Sequence, residues 1–184
     1  MSGLVDALVA EGEAATPLGL SDAYQSASFD SETAHAAAER IRARPDATSL
    51  QLLLALRREA PETYGELPAA LRAQVLVAAL RDLPFLNDFG WMEPDGHGHD
   101  TTAAQALLEL GDAARAPLVP LLDDERPAPL SGSETATMSS AYAYRRADFA
   151  ARYLNKLLRR DAPFAAEPAQ RDPAIAALRE ELRE

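Results

Sequence analysis

The sequence predicts an all-α fold, and three observations carry that prediction. Apolar residues recur at helical spacing through most of the 184 residues. Strand signals are missing: no stretch alternates with period 2, β-branched runs do not occur, and the lone Asp95-Gly96 has flanks unlike strands. Finally, Thr101 to Asp124, TTAAQALLELGDAARAPLVPLLDD, reads as two short amphipathic helices folded back on each other through Gly111-Asp112. Ala103, Leu107 and Leu110 stand at i, i+4, i+7 in the first helix; Ala114, Leu118, Leu121 and Leu122 form the matching stripe in the second. Asp100 or Thr101 is suited to cap the first helix, Gly111 to supply the left-handed stop, and Asp112 to cap the second.

The other elements follow in chain order. Residues 1–30 read as an irregular or partly helical lead-in, with 14–29 rich in Ser, Thr and Ala. Residues 31–184 read as one helical domain. Ser31 to Arg44 is a helix capped by Asp30 or Ser31, apolar at Ala34, Ala37, Ala38 and Ile41, and stopped by Pro45. Residues 48–60 carry enough leucine (Leu50, Leu52, Leu53, Leu54, Leu56) for burial on most sides, and Pro61 and Gly65 should break the helix. Leu67 to Leu80 repeats the pattern with Leu71, Val75, Leu76, Ala79 and Leu80, so 48–82 reads as a hairpin preceding that at 101–124. Tyr142 to Leu158 is a longer helix with Phe149, Tyr153 and Leu157 four apart, and Asp172 with Pro173 at the first helical position starts a last helix burying Ile175, Leu178 and Leu182.

The segment running from ALLELGD to PLVPLLDD resembles the HEAT-like helical repeats of the phycobilisome-lyase type. What the resemblance implies is a small α-solenoid of helical hairpins with atypical outer helices as caps. The degenerate units would be 48–82 and 142–160, and a non-repeating helical bundle is the alternative arrangement. The bilin-lyase flavour of the repeat also raises a tetrapyrrole-like carrier, with no cysteine in the chain to support it.

Composition narrows the function classes. A formal charge of -11 disfavours nucleic acid and anionic membranes as partners, and no apolar run approaches the ~20 residues of a membrane span. The absence of cysteine removes disulfides, thiol catalysis and thiolate metal sites. Asp6, Glu11 and Glu13 stand where a signal peptide would be apolar, so a cytoplasmic location is expected. Arginine supplies nearly all the positive charge, Lys156 being the lone lysine; with the abundant alanine this points to a GC-rich, bacterial coding sequence.

Three places stand out as candidate sites. The connection from Leu83 to Asp100, LPFLNDFGWMEPDGHGHD, far exceeds the ~2–8 residues that join helices in bundles. It holds Phe85, Phe89, the only tryptophan, Trp91, and two of three histidines, His97 and His99. Asp95, His97 and His99 alternate with glycine and precede Asp100, so an extended backbone would aim Asp95 and both imidazoles one way, as borderline metal ligands or acid-base groups. The plainer account is a solvated connection, with Asp100 as a cap and the aromatics tucked onto the core. A third metal ligand would be needed from elsewhere, since His35 lies on an early helix and no His-Glu pair exists.

The second place is Arg126 to Tyr144, which ends in the aromatic pair Tyr142 and Tyr144 and where Ser131, Ser133, Thr135 and Tyr144 could form a polar recognition rim or a plain surface crossover. The third is the helix after it. Arg145, Arg152, Lys156 and Arg159 fall within about 60° of one another at 100° per residue, a basic stripe on an acidic chain. It would suit an acidic peptide, a carboxylate or a phosphate, with Arg145-Arg146 as forked donors, or serve only as a solvated face favoured by the helix dipole. Phosphate-binding glycine loops, nucleophile elbows and His-Glu-x-x-His are missing. The expectation is therefore a non-catalytic protein-interaction module with no cofactor, Phe89 and Trp91 giving an exposed apolar anchor, the basic stripe steering, and another protein or an acidic peptide as partner. The alternative is a metal-binding protein or enzyme built on the histidine loop.

Overall fold

The computed structural model describes residues 3–83, 89–91, 102–129, 137, 141–162, 164–165 and 167–182, and among these the ordered elements are helical, with no strand. Helix α1 spans Gly3–Glu13, α2 Asp22–Gln25 and α3 Ser31–Ala43. Then come α4 Leu50–Glu59, α5 Pro61–Glu66 and α6 Ala69–Asp82. The second half comprises α7 Thr102–Glu109, α8 Asp112–Leu118, α9 Arg146–Leu157 and α10 Pro168–Glu181. No helix among the described residues is long and apolar enough to cross a membrane.

Local chemistry explains most of the boundaries. Asp30 caps α3 by accepting the Thr33 N–H at 2.8 Å. Ala60 ends α4, and Pro61, expected only as a breaker, also opens α5, where a missing N–H is harmless. Gly111 turns the chain between α7 and α8 with φ +55. It also occupies the cap position, so Asp112, expected to be the cap, is instead the first helical residue and pairs with Arg115 at 3.0 Å. The last helix departs further from expectation. It begins a turn early at Pro168, leaving Pro173 inside the helix, because Pro168 already supplies the N-terminal proline.

Helix α4 is the axis of the first half. Every residue from Leu50 to Leu56 is buried, and α1, α3, α5, α6 and α7 pack around it. The one polar residue of that buried stretch, Gln51, is satisfied, donating to the Thr16 carbonyl at 2.6 Å and accepting from Ser21 Oγ at 2.8 Å. Helix α6 joins the halves by packing on α8 and on the short turn Ala47–Ser49. In the second half α8 sits on α6 and α9, and α9 also packs on α7, α10 and the turn Val119–Asp123. The first 30 residues, set apart in the sequence as a lead-in, contribute to the same core, with Leu8 and Leu18 fully buried and Tyr24 nearly so.

That packing depends on one close approach. A Cβ on Gly12 would lie 2.0 Å from the Thr48 carbonyl oxygen, so α1 reaches the Ala47–Ser49 backbone only because residue 12 has no side chain. Gly12→Ala should push α1 outward, loosen Val5 and Leu8, and cost about 1–3 kcal/mol in urea unfolding. Unchanged stability would mean that α1 is not seated there.

Candidate functional site

Helix α9 carries the basic residues singled out in the sequence, and its start is fixed from two sides. Asp148, in its first turn, accepts the Arg145 backbone N–H at 2.7 Å. The chain leaving α8 also pairs with the chain entering α9: Ala128 N–H donates to the Tyr144 carbonyl at 2.9 Å, Arg146 N–H to Arg126 at 3.1 Å, and Ala147 N–H to Asp124 at 3.0 Å. The Arg126–Tyr144 excursion is thus closed at its base. Ser131, Ser133 and Thr135 lie outside the described residues.

Asp124 supports this junction electrostatically. Hydrogen bonds from the Arg126 guanidinium, at 2.8 and 2.6 Å, lead the causes that hold its carboxyl at about 2, below the ordinary 3.8, against the opposing effect of burial. A depressed folded value stabilises the fold above the ordinary pKa, and the contribution disappears as pH falls through about 2. Arg126 is exposed, which discounts the effect to the order of 1 kcal/mol. Asp124→Asn should therefore be less stable than the parent at pH 6, and the difference should vanish near pH 2. A carboxyl titrating at its ordinary value by NMR would remove this contribution.

The four-residue basic stripe does not persist as one surface. Only Arg152 and Lys156 lie within α9; Arg145 precedes it, and Arg159 follows it with φ +56. Arg145 is occupied internally, its Nη2 meeting Asp148 at 3.0 Å and Asp172 at 2.5 Å, and these hydrogen bonds raise it above the ordinary guanidinium value. Arg146 faces Asp124 at 3.5 Å and Asp82 at 4.0 Å, so the forked donors expected of Arg145-Arg146 are taken up by the fold. The helical-wheel count assumed one helix through 145–159, whereas capping ended it at both sides.

The aromatic expectations also change. Phe89 and Trp91 are 1% and 0% exposed, so they are core residues rather than an exposed apolar anchor. Tyr153 of α9 holds Trp91 edge-on at 5.7 Å and donates its hydroxyl to the Trp91 carbonyl at 2.8 Å. Tyr144, expected on a polar rim, is buried as well. It stacks on Phe164 at 4.8 Å, while Arg171 lies over the Tyr144 ring and Arg152 over the Phe164 ring. Tyr142 is half-buried beside them, its ring 5.5 Å from that of Tyr144.

Asp95, His97, His99 and Asp100 lie outside the described residues, and His35 is exposed on α3. Among the described residues no group of three or more His, Asp or Glu side chains converges as a metal centre requires.

What the structure does gather is a cleft at the carboxyl end of α9. Lys156, Arg159 and Arg160 surround it together with half-buried Leu108 and Leu157 and with Gly111 of the α7–α8 turn. Arg160 is ion-paired with Glu181 of α10. Arg160 and Leu108 were not singled out in the sequence; Arg160 lies beyond the helical pattern, and Leu108 is an ordinary member of its helix. The arrangement offers cationic donors beside a small apolar surface and no nucleophile or general base. Comparison of the chain with protein-family models, with curated proteins and with solved structures finds no match.

Proposed function

We propose that this chain is a non-catalytic interaction module, a HEAT-like helical scaffold that docks an acidic segment of another protein in the cleft at the carboxyl end of α9. One observation carries the reading: Lys156, Arg159 and Arg160 concentrate positive charge around a concave surface that includes Leu108 and Leu157, on a chain with net charge -11. A local cationic site on an acidic protein orients an acidic partner, and the rest of the surface repels wrong placements. The leucines give an apolar residue of that partner something to cover. The scaffold part of the proposal rests on the pattern of 101–124 and on the turn at Gly111.

The test is fluorescence anisotropy with a labelled peptide of alternating Leu and Glu pairs, and a Leu-Lys peptide as control. Binding of the acidic peptide should weaken with salt. Lys156→Glu with Arg159→Glu should weaken it at least about tenfold, mainly through slower association. Equal binding of the two peptides, or an unchanged affinity in the double variant, would remove this cleft as the docking site.

A further inference from the structure

Helices α9 and α10 flank a cavity of about 240 Å³ that shares no lining residue with the cleft just described. Ala151 from α9, Phe164 from the connection, and Ala174 and Ile175 from α10 make most of its wall apolar. A dry cavity of about 150 Å³ holds a benzene ring, so this one has room for a ring-sized body with a short polar head, though not for a tetrapyrrole.

Part of the wall is polar, and its hydrogen bonds are incomplete. Arg171, only 5% exposed, donates from Nη2 to the Tyr142 carbonyl at 2.5 Å and the Ala143 carbonyl at 3.3 Å, faces Asp148 through Nε at 3.4 Å, and lies over the Tyr144 ring. These contacts fix the guanidinium. Its Nη1 is buried as well and has no hydrogen-bond partner among the described residues. A buried donor without an acceptor is costly, and a group held in this way cannot turn to find one, so the acceptor has to come to it. A lone water at Nη1 would leave the apolar wall uncovered, whereas an acceptor carried on an apolar body covers both.

The charges in that wall decide which acceptor fits. Asp148 already counters Arg171, and its oxygens are also engaged by the Arg145 backbone and guanidinium. A ligand carboxylate would stand desolvated beside a second carboxylate, and a ligand ammonium beside a guanidinium. A neutral oxygen supplies the missing acceptor without adding a charge.

We propose that the α9–α10 cavity binds a small neutral carbonyl compound, a ketone or carboxamide on a compact apolar body, with its oxygen accepting from Arg171 Nη1 and its body against Phe164, Ala174 and Ile175. Ala174 is exposed at the rim, which leaves that side open for entry.

Isothermal titration of the intact chain with phenylacetamide, benzyl methyl ketone, phenylacetate and 2-phenylethylammonium tests this with four probes of one shape. At least one of the two neutral carbonyl compounds should bind saturably with a Kd below about 1 mM. The carboxylate and the ammonium should each bind at least about tenfold more weakly, the first for its charge and the second also for want of an acceptor. Ala174→Phe fills the cavity from an exposed position on α10, so it should abolish binding while circular dichroism stays that of the parent; Ala174→Leu serves if the larger residue disturbs folding. Lys156→Glu with Arg159→Glu should leave carbonyl binding unchanged, which separates this site from the peptide cleft. No saturable binding of either neutral probe, binding of the carboxylate or the ammonium as tight as theirs, or full binding by a folded cavity-filling variant would overturn the proposal.

Discussion

Asp148→Ala is expected to destabilise the protein by about 3–5 kcal/mol, because it strips the counter-charge from a buried guanidinium. The Asp148 side chain is fully buried and that of Arg171 is 4% exposed, their charged atoms 3.4 Å apart. Arg145 supplies Asp148 with a backbone N–H at 2.7 Å and a guanidinium contact at 3.0 Å, so the same carboxylate fixes the start of α9 and the seat of α10. Urea unfolding followed by circular dichroism measures the loss. The double replacement Asp148→Leu with Arg171→Met should recover much of it, since removing both charges leaves no orphan. A single variant within about 1 kcal/mol of the parent would show that water reaches the pair.

Trp91→Ala should be comparably severe, about 3–5 kcal/mol, as expected for a large aromatic removed from a closed site. Trp91 is fully buried against the Tyr153 ring, and its carbonyl takes the Tyr153 hydroxyl. For a chain of 184 residues the loss corresponds to roughly 10 °C in Tm. Tyr153→Phe retains the ring contact and should cost only about 1 kcal/mol. Normal thermal stability of Trp91→Ala together with faster release of a bound peptide would restore the sequence-based expectation of an exposed anchor.

The parts of the fold that were legible in the sequence are those with local causes. Asp30 caps the helix it precedes, Gly111 turns where only glycine turns readily, and the leucines of α4 recur too densely for a surface helix. The sequence left Trp91 open between an aromatic tucked onto the core, which the structure shows, and an exposed anchor, because a long connection does not itself say whether it folds back. The network of Asp148, Arg145 and Arg171 was not legible. Its members sit on elements far apart in the chain, and helical periodicity specifies which face a residue occupies without naming what meets it. Phe164 lies in a proline- and alanine-rich connection with no period, so its place in the aromatic cluster had no local signal. The basic residues were identified by charge, but the wheel assigned them one face when the helix holds only two of them. A charge at Asp148, among neighbours that are apolar on both sides, was the one available hint that a buried counter-ion existed.

Helix α10 buries only Arg171, Ile175 and Leu178 along its length. So thin an attachment sets the order in which the molecule comes apart. Its backbone amides should exchange with deuterium through a sub-global opening well before those of α4, whose exchange requires the entire core to open. Since, besides the buried Asp148–Arg171 pair, α10 is held by partly exposed ion pairs at Arg145–Asp172, Arg160–Glu181 and Arg179–Asp123, added salt should hasten exchange in α10 and leave α4 nearly untouched. A protease would then sever the carboxyl-terminal helix first, and the rate of that cut would track ionic strength rather than global stability.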